Sequence, residues 1–254
     1  MDTRHAAARF GFWAALTTAA LTVVTFGFAI TALPDSGRNC QENCASYPFA
    51  GDQVASQFPG DYLWMVPAMV LTLAFIALVA AVHQFAPRDR KVFSLIGLCV
   101  AVVAATVLLI DYFIQFSVMP LSLEKGQLEG WALFTQYNPN GMFLALEELG
   151  FLLMSVTFLA IAPVFVGRTK IEGALRWILS GSFVVSLAAL AVVSVAVGLD
   201  RQDTFEILVI SIVWLTLVVG GPLMAVVFRR AAVEEANSEP VRAPSGPHPV
   251  GGIS

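Results

Sequence analysis

Hydrophobic positions along the chain gather into six long runs, near residues 10–32, 62–86, 93–118, 140–166, 174–198 and 204–228, separated by short polar connections. Crossing the roughly 30 Å of bilayer hydrocarbon takes about 20 helical residues, and every run reaches that length. The pattern predicts an all-α integral membrane protein: one bundle of six transmembrane helices over residues 1–230. Residues 231–254, rich in Ala, Glu, Pro, Gly and Ser, read as a disordered cytoplasmic tail that cannot bury a core.

Composition agrees with that pattern. The 254 residues are 57% hydrophobic and 13% charged, against about 25% charged in a soluble domain. The formal charge of −4 says little, since topology responds to Lys and Arg and not to net charge; no basic stripe and no aromatic platform among basic residues marks a nucleic-acid surface. The first run resembles a signal peptide only at its flanks. It exceeds the 7–15 residues of a typical secretory h-region, so it reads as a retained span.

Lys and Arg orient the bundle. Arg4, Arg9, Arg88, Arg90, Lys91, Arg168, Lys170, Arg176, Arg229, Arg230 and Arg242 fall on one side, and Arg38, Lys125 and Arg201 on the other. The positive-inside rule therefore predicts cytoplasmic N- and C-termini and a multi-pass protein of the plasma (inner) membrane. Six spans divide into two trios of opposite sense, the arrangement of inverted repeats in transporters, although parity is the only support for it here.

Two helix faces are legible. Gly11, Ala15, Thr18, Thr22, Thr25 and Ala29 form one small-residue stripe, and Gly97, Ala101, Ala104, Leu108, Asp111 and Gln115 another. Stripes of this kind let helix backbones approach closely. Gly220-Gly221-Pro222 predicts a kink near the inner end of the sixth helix. In the 119–139 segment Leu128, Trp131, Ala132 and Thr135 follow helical spacing, predicting a short helix at the outer interface with Trp131 as its anchor.

The chemistry concentrates at Gln136–Ser155, QYNPNGMFLALEELGFLLMS, where Glu147 and Glu148 stand side by side in an apolar run. A carboxylate at membrane depth costs on the order of 3 kcal/mol and by default faces protein or water. Asn138 and Pro139 read as the start of this helix. Asp111 precedes the end of the third helix by the same number of residues as Glu147 follows the start of the fourth, placing both about 10 Å below the outer boundary. Consecutive helices are usually neighbours, so Asp111, Tyr112, Gln115 and one of the two glutamates are expected to line a shared polar pocket. Glu147 and Glu148 point about 100° apart, and the smaller residues on the Glu148 face favour Glu148 as the inward one. No basic residue is expected at this depth, and Glu206 reads as a helix-dipole partner.

Cys40-Gln-Glu-Asn-Cys44 lies in the first outer loop, where a local disulfide is the simplest state. Cys99, within a span, reads as a core thiol, and His83 as an interfacial residue. Three histidines without a ligand spacing predict no metal site, and no cofactor motif is present. The sequence thus points to a membrane protein in contact with lipid that binds or transports a small molecule or cation at an acidic pocket in the outer half of the bundle. Two other readings remain open: an intramembrane enzyme using paired carboxylates as acid and base on a lipid-like substrate, and a partner-binding membrane subunit.

Overall fold

The computed structural model describes residues 3–31, 36–40, 44–167 and 169–238, and every regular element among them is helical. In chain order the α-helices are α1 (Thr3–Thr31), α2 (Asp52–Gln57), α3 (Met65–Phe85), α4 (Lys91–Ser117), α5 (Met119–Glu124), α6 (Trp131–Phe134), α7 (Met142–Ile161), α8 (Lys170–Val197) and α9 (Gln202–Ser238). Five helical stretches are long and apolar enough to cross a membrane: Ala6–Ile30, Gly60–Phe85, Arg88–Glu124, Met142–Val164 and Lys170–Glu234.

The last stretch, 65 residues, would measure about 98 Å if straight. It is instead two helices. Gly198 stops α8 at φ 72°, Asp200 leaves helical geometry at φ −84° and ψ 32°, and α9 packs back along α8. Only glycine takes that positive φ without Cβ strain. At its other end α8 starts on Thr169, whose hydroxyl accepts from the Glu172 N–H at 3.3 Å, half of a capping box.

Neighbouring pairs α1–α3, α3–α4, α4–α7, α7–α9 and α9–α1 close into a ring, and α8 leans on α7 and α9. The first helix of each trio packs on the third helix of the other (α1 on α9, α7 on α4), but α7 also packs on α9 within its own trio, a pairing that α1 and α4 do not match. Both small-residue stripes do what their composition allows. Gly11, Ala15, Thr18, Thr22 and Thr25 are buried on α1, and Gly97, Ala101, Ala104, Leu108, Asp111 and Gln115 on α4. A Cβ on Gly97 would lie 2.6 Å from Ile161 of α7, and one on Gly221 would lie 2.8 Å from Ala19 of α1. Gly221 thus serves helix contact, and Pro222, where the sequence predicts a kink, lies inside the helical course of α9.

Large apolar side chains face outward on these long helices, among them Trp13, Val103, Phe113, Trp177 and Val195. That inverts the economy of a soluble protein and suits hydrocarbon as solvent. Cys99 belongs to this outer surface and is not a core thiol. The helical course of α9 to Ser238 also moves the start of the tail, since residues 231–238 are helical. The remainder of the expected tail, 239–254, lies outside the described residues.

Alternation of the long helices gives the bundle two different ends. One carries the short connections at 86–90 and 162–169, with Arg9, Arg88, Arg90, Lys91, Lys170, Arg176, Arg229 and Arg230. The other carries the long connections at 36–64 and 118–141, with Arg38, Lys125 and Arg201. The buried acids Asp111, Glu147, Glu148 and Asp203 gather toward the long-loop end.

Candidate functional site

The connection between α4 and α7 is built by side chains that bond its backbone. Gln115, buried at the end of α4, donates through Nε2 to the Phe134 carbonyl and accepts at Oε1 from the Gln136 N–H at 3.1 Å. Trp131 turns inward and donates to the Met119 carbonyl at 3.0 Å. Trp131 of the one-turn α6 is therefore anchored within the protein and is not the interfacial anchor its spacing suggested, while Leu128, Leu133 and Phe134 around it are exposed. Asn138 shapes a turn rather than capping α7: its Oδ1 accepts from the Asn140 N–H at 3.0 Å, and α7 begins later, at Met142 behind Gly141.

This connection forms one wall of a cavity of about 420 Å³. Gln136, Tyr137 and Pro139 contribute from the connection, Phe26, Ala29 and Ile30 from α1, and Phe143, Leu144 and Glu147 from α7. Asp203, Glu206, Ile207, Ile210, Ser211 and Trp214 contribute from α9, with Asp61, Trp64 and Ser36 beside them. Four carboxyl groups thus line a mostly apolar chamber, and none of the described lining residues is Lys, Arg or His.

Neutral donors hold two of the four. Asp61 Oδ2 accepts from the Tyr137 hydroxyl at 2.9 Å. Asp203 Oδ2 accepts from the Arg38 backbone N–H at 2.8 Å and from Asn39 Nδ2 at 3.3 Å. The second arrangement needs a residue without a side chain: Gly37 sits at φ 76° with its Cα face against Asp203 and Pro139. Burial, followed by the nearby Tyr62 and Asp61, pushes the Tyr137 hydroxyl pKa up, so Tyr137 remains a donor across the ordinary pH range.

Glu147 is fully buried. Tyr112 of α4 donates to its Oε1 at 2.6 Å. Oε2 receives no N–H or hydroxyl, and the carboxyl faces that of Glu206 within hydrogen-bond reach. Two carboxyls share a hydrogen bond only while one carries a proton. Without that proton they present two uncompensated charges to the chamber. Trp214, whose ring packs edge-on against Phe26 and Phe151, also has no partner for Nε1.

Glu148 has a different fate. Its Oε2 accepts from Arg201 Nη1 at 2.9 Å, a partly buried ion pair joining α7 to the turn before α9. The expectation of no base at this depth is therefore corrected: Arg201 enters from a connection, where sequence alone assigned it to the loop. Glu148 is absent from the chamber lining and Glu147 present, which reverses the preference for Glu148 read from helix faces.

Of the remaining anticipated residues, Asp111 lies within electrostatic reach of Glu147 and Glu206 and is buried, yet it stands behind the chamber wall. Tyr112 and Gln115 likewise stand behind it, the first supporting Glu147 and the second holding the α4–α7 connection. Asp61, Asp203 and Glu206 were missed as site residues. Glu206 carried a signal, one acidic residue a turn into an apolar run, but a helix-dipole role accounted for it equally well.

No protein-family model, no curated protein and no solved structure matches the chain. Among the described residues no three His, Cys, Asp or Glu side chains converge as a metal site would require. At the same end Cys40 and Cys44 are joined in a disulfide. His83, at the opposite end, pairs its Nδ1 with the Ser94 hydroxyl at 2.9 Å.

Proposed function

We propose that this is a six-span membrane protein with cytoplasmic termini that binds or transports a small molecule or ion in the acidic chamber, which opens from the outer face. The observation carrying this reading is a cavity of about 420 Å³ holding Asp61, Glu147, Asp203 and Glu206 with no cationic side chain among its described lining. That volume falls within the roughly 300–1,000 Å³ range of small-molecule sites. The orientation is supported by the gathering of Lys and Arg at the short-loop end. Glu147 and Asp203 are buried and Asp61 and Glu206 half-buried, and helix packing alone gives no reason to collect four acids in one apolar chamber.

An enzyme acting on an amphipathic substrate is the second reading, favoured by the facing carboxyls of Glu147 and Glu206, which suit acid and base roles. The partner-binding reading is weakened because Glu148 already has its cation, Arg201, within the chain.

Access from outside tests the proposal. In a Cys99→Ser background, Ser211→Cys lines the chamber and should react with a small charged methanethiosulfonate applied to right-side-out vesicles. Ser155→Cys, buried away from it, should stay inert. An unreactive Ser211→Cys would remove the outward-open chamber and the function built on it.

A further inference from the structure

Resting on that reading, we infer that the chamber's ligand is an organic cation: an amine or quaternary ammonium with an apolar body. Charge, surface and size each narrow the ligand class. Asp61 and Asp203 are bonded by neutral donors, so their negative charge is oriented, and among the described residues no ion pair reaches either. Glu147 is fully buried and lines the chamber, its Oε2 accepts from no N–H, and the carboxyl it faces is another acid, Glu206. One shared proton joins the two carboxyls and leaves one negative charge on the pair, which is costly in an apolar chamber unless a cation answers it. An ammonium N–H, or the positive field of a quaternary nitrogen, meets that need.

The apolar lining separates an organic from an inorganic cation. Na⁺, Ca²⁺ and Mg²⁺ require several oxygens converging at about 2.0–2.6 Å, and no such convergence of three acidic side chains occurs among the described residues. Aromatic rings are present instead: Trp64, Trp214, Phe26 and Phe143. Ring faces attract cations while also accepting hydrocarbon, and the gain grows as water is excluded. An anion would meet carboxylates without a counter-charge, and a neutral body would leave the acids unanswered.

The experiment titrates purified protein in detergent, by calorimetry, with benzyltrimethylammonium, with neutral N,N-dimethylbenzamide, with benzoate, and with Na⁺ or Mg²⁺ against a choline-free buffer. The expected result is saturable binding of benzyltrimethylammonium at least tenfold tighter than that of either organic comparator. Glu147→Gln and Glu206→Gln should each weaken it about tenfold. Glu124→Gln, on the exposed surface and outside the chamber lining, should leave it within twofold. Glu147→Gln keeps an acceptor for Tyr112, and Glu206→Gln gives an independent variant should the first fail to fold. Equal binding of the amide and the cation, or binding of the metal ions alone, overturns the cation class while a reactive Ser211→Cys keeps the chamber reading. Cation binding unaffected by both Gln variants overturns the assignment to this chamber. No saturable binding of the cation, with Ser211→Cys reactive, also overturns the inference and leaves the proposed function to seek another ligand.

Discussion

Arg201 donates a 2.9 Å charge-assisted hydrogen bond to Glu148, and by doing so divides two adjacent acids between different tasks. Glu148 closes the joint between α7 and the turn into α9. Glu147, one residue earlier and about 100° around the helix, is left to the chamber with Tyr112 behind it.

The pair gives a stability prediction. Glu148 has a side chain only 8% exposed, so Arg201→Gln strands a buried carboxylate and should cost about 3 kcal/mol. Adding Glu148→Gln to that variant removes the stranded charge and should recover more than half of the loss. Thermal unfolding in detergent measures both. A double variant no more stable than Arg201→Gln would mean that the pair is not coupled as described.

Close helix approach gives a second. A Cβ on Gly221 would lie 2.8 Å from Ala19 Cβ and 3.1 Å from the Ala15 carbonyl oxygen, neither of which can rotate away. Gly221→Ala should therefore separate α1 from α9 at a cost of about 1–3 kcal/mol. Gly150→Ala meets Leu108 at 2.5 Å, a side chain that can be shortened. Leu108→Ala should accordingly restore part of the stability lost in Gly150→Ala, and should do nothing for Gly221→Ala.

Tyr137 gives a pH dependence. Its folded pKa is pushed above the ordinary value of about 10 by burial first, then by Tyr62 and Asp61. Above pH 10 the unfolded phenol loses its proton while the folded one keeps it, so this stabilisation is complete below pH 10 and declines as pH rises through the folded value. The stability difference between the native protein and Tyr137→Phe should shrink between pH 10 and 11. A constant difference across that interval would contradict the raised value.

Orientation is tested directly by labelling. In a Cys99→Ser background, Lys91→Cys should resist a membrane-impermeant maleimide applied from outside, and Lys125→Cys should react. The reverse pattern would place the acidic chamber on the cytoplasmic side.

The sequence by itself determined the helical class, the approximate limits of the long helices and two of the faces on which they pack. Each of these is a local or periodic property: an apolar run long enough to span a membrane, or a small residue every three or four positions, carries its meaning without a partner. The Cys40–Cys44 disulfide was legible for the same reason, because four residues of separation already bring the thiols together. The chamber was legible only in outline, through acids at membrane depth on α4 and α7. Tertiary structure decided which acid faces it, since Glu147 and Glu148 share depth and neighbours and differ only in direction. It also supplied Asp61 from before α3 and Asp203 and Glu206 from α9, and it placed Arg201 against Glu148. Asp61 comes from the turn before α3, and Arg201, Asp203 and Glu206 come from one stretch at the start of α9; ring closure brings these to α7, and no periodicity within one helix records such a meeting.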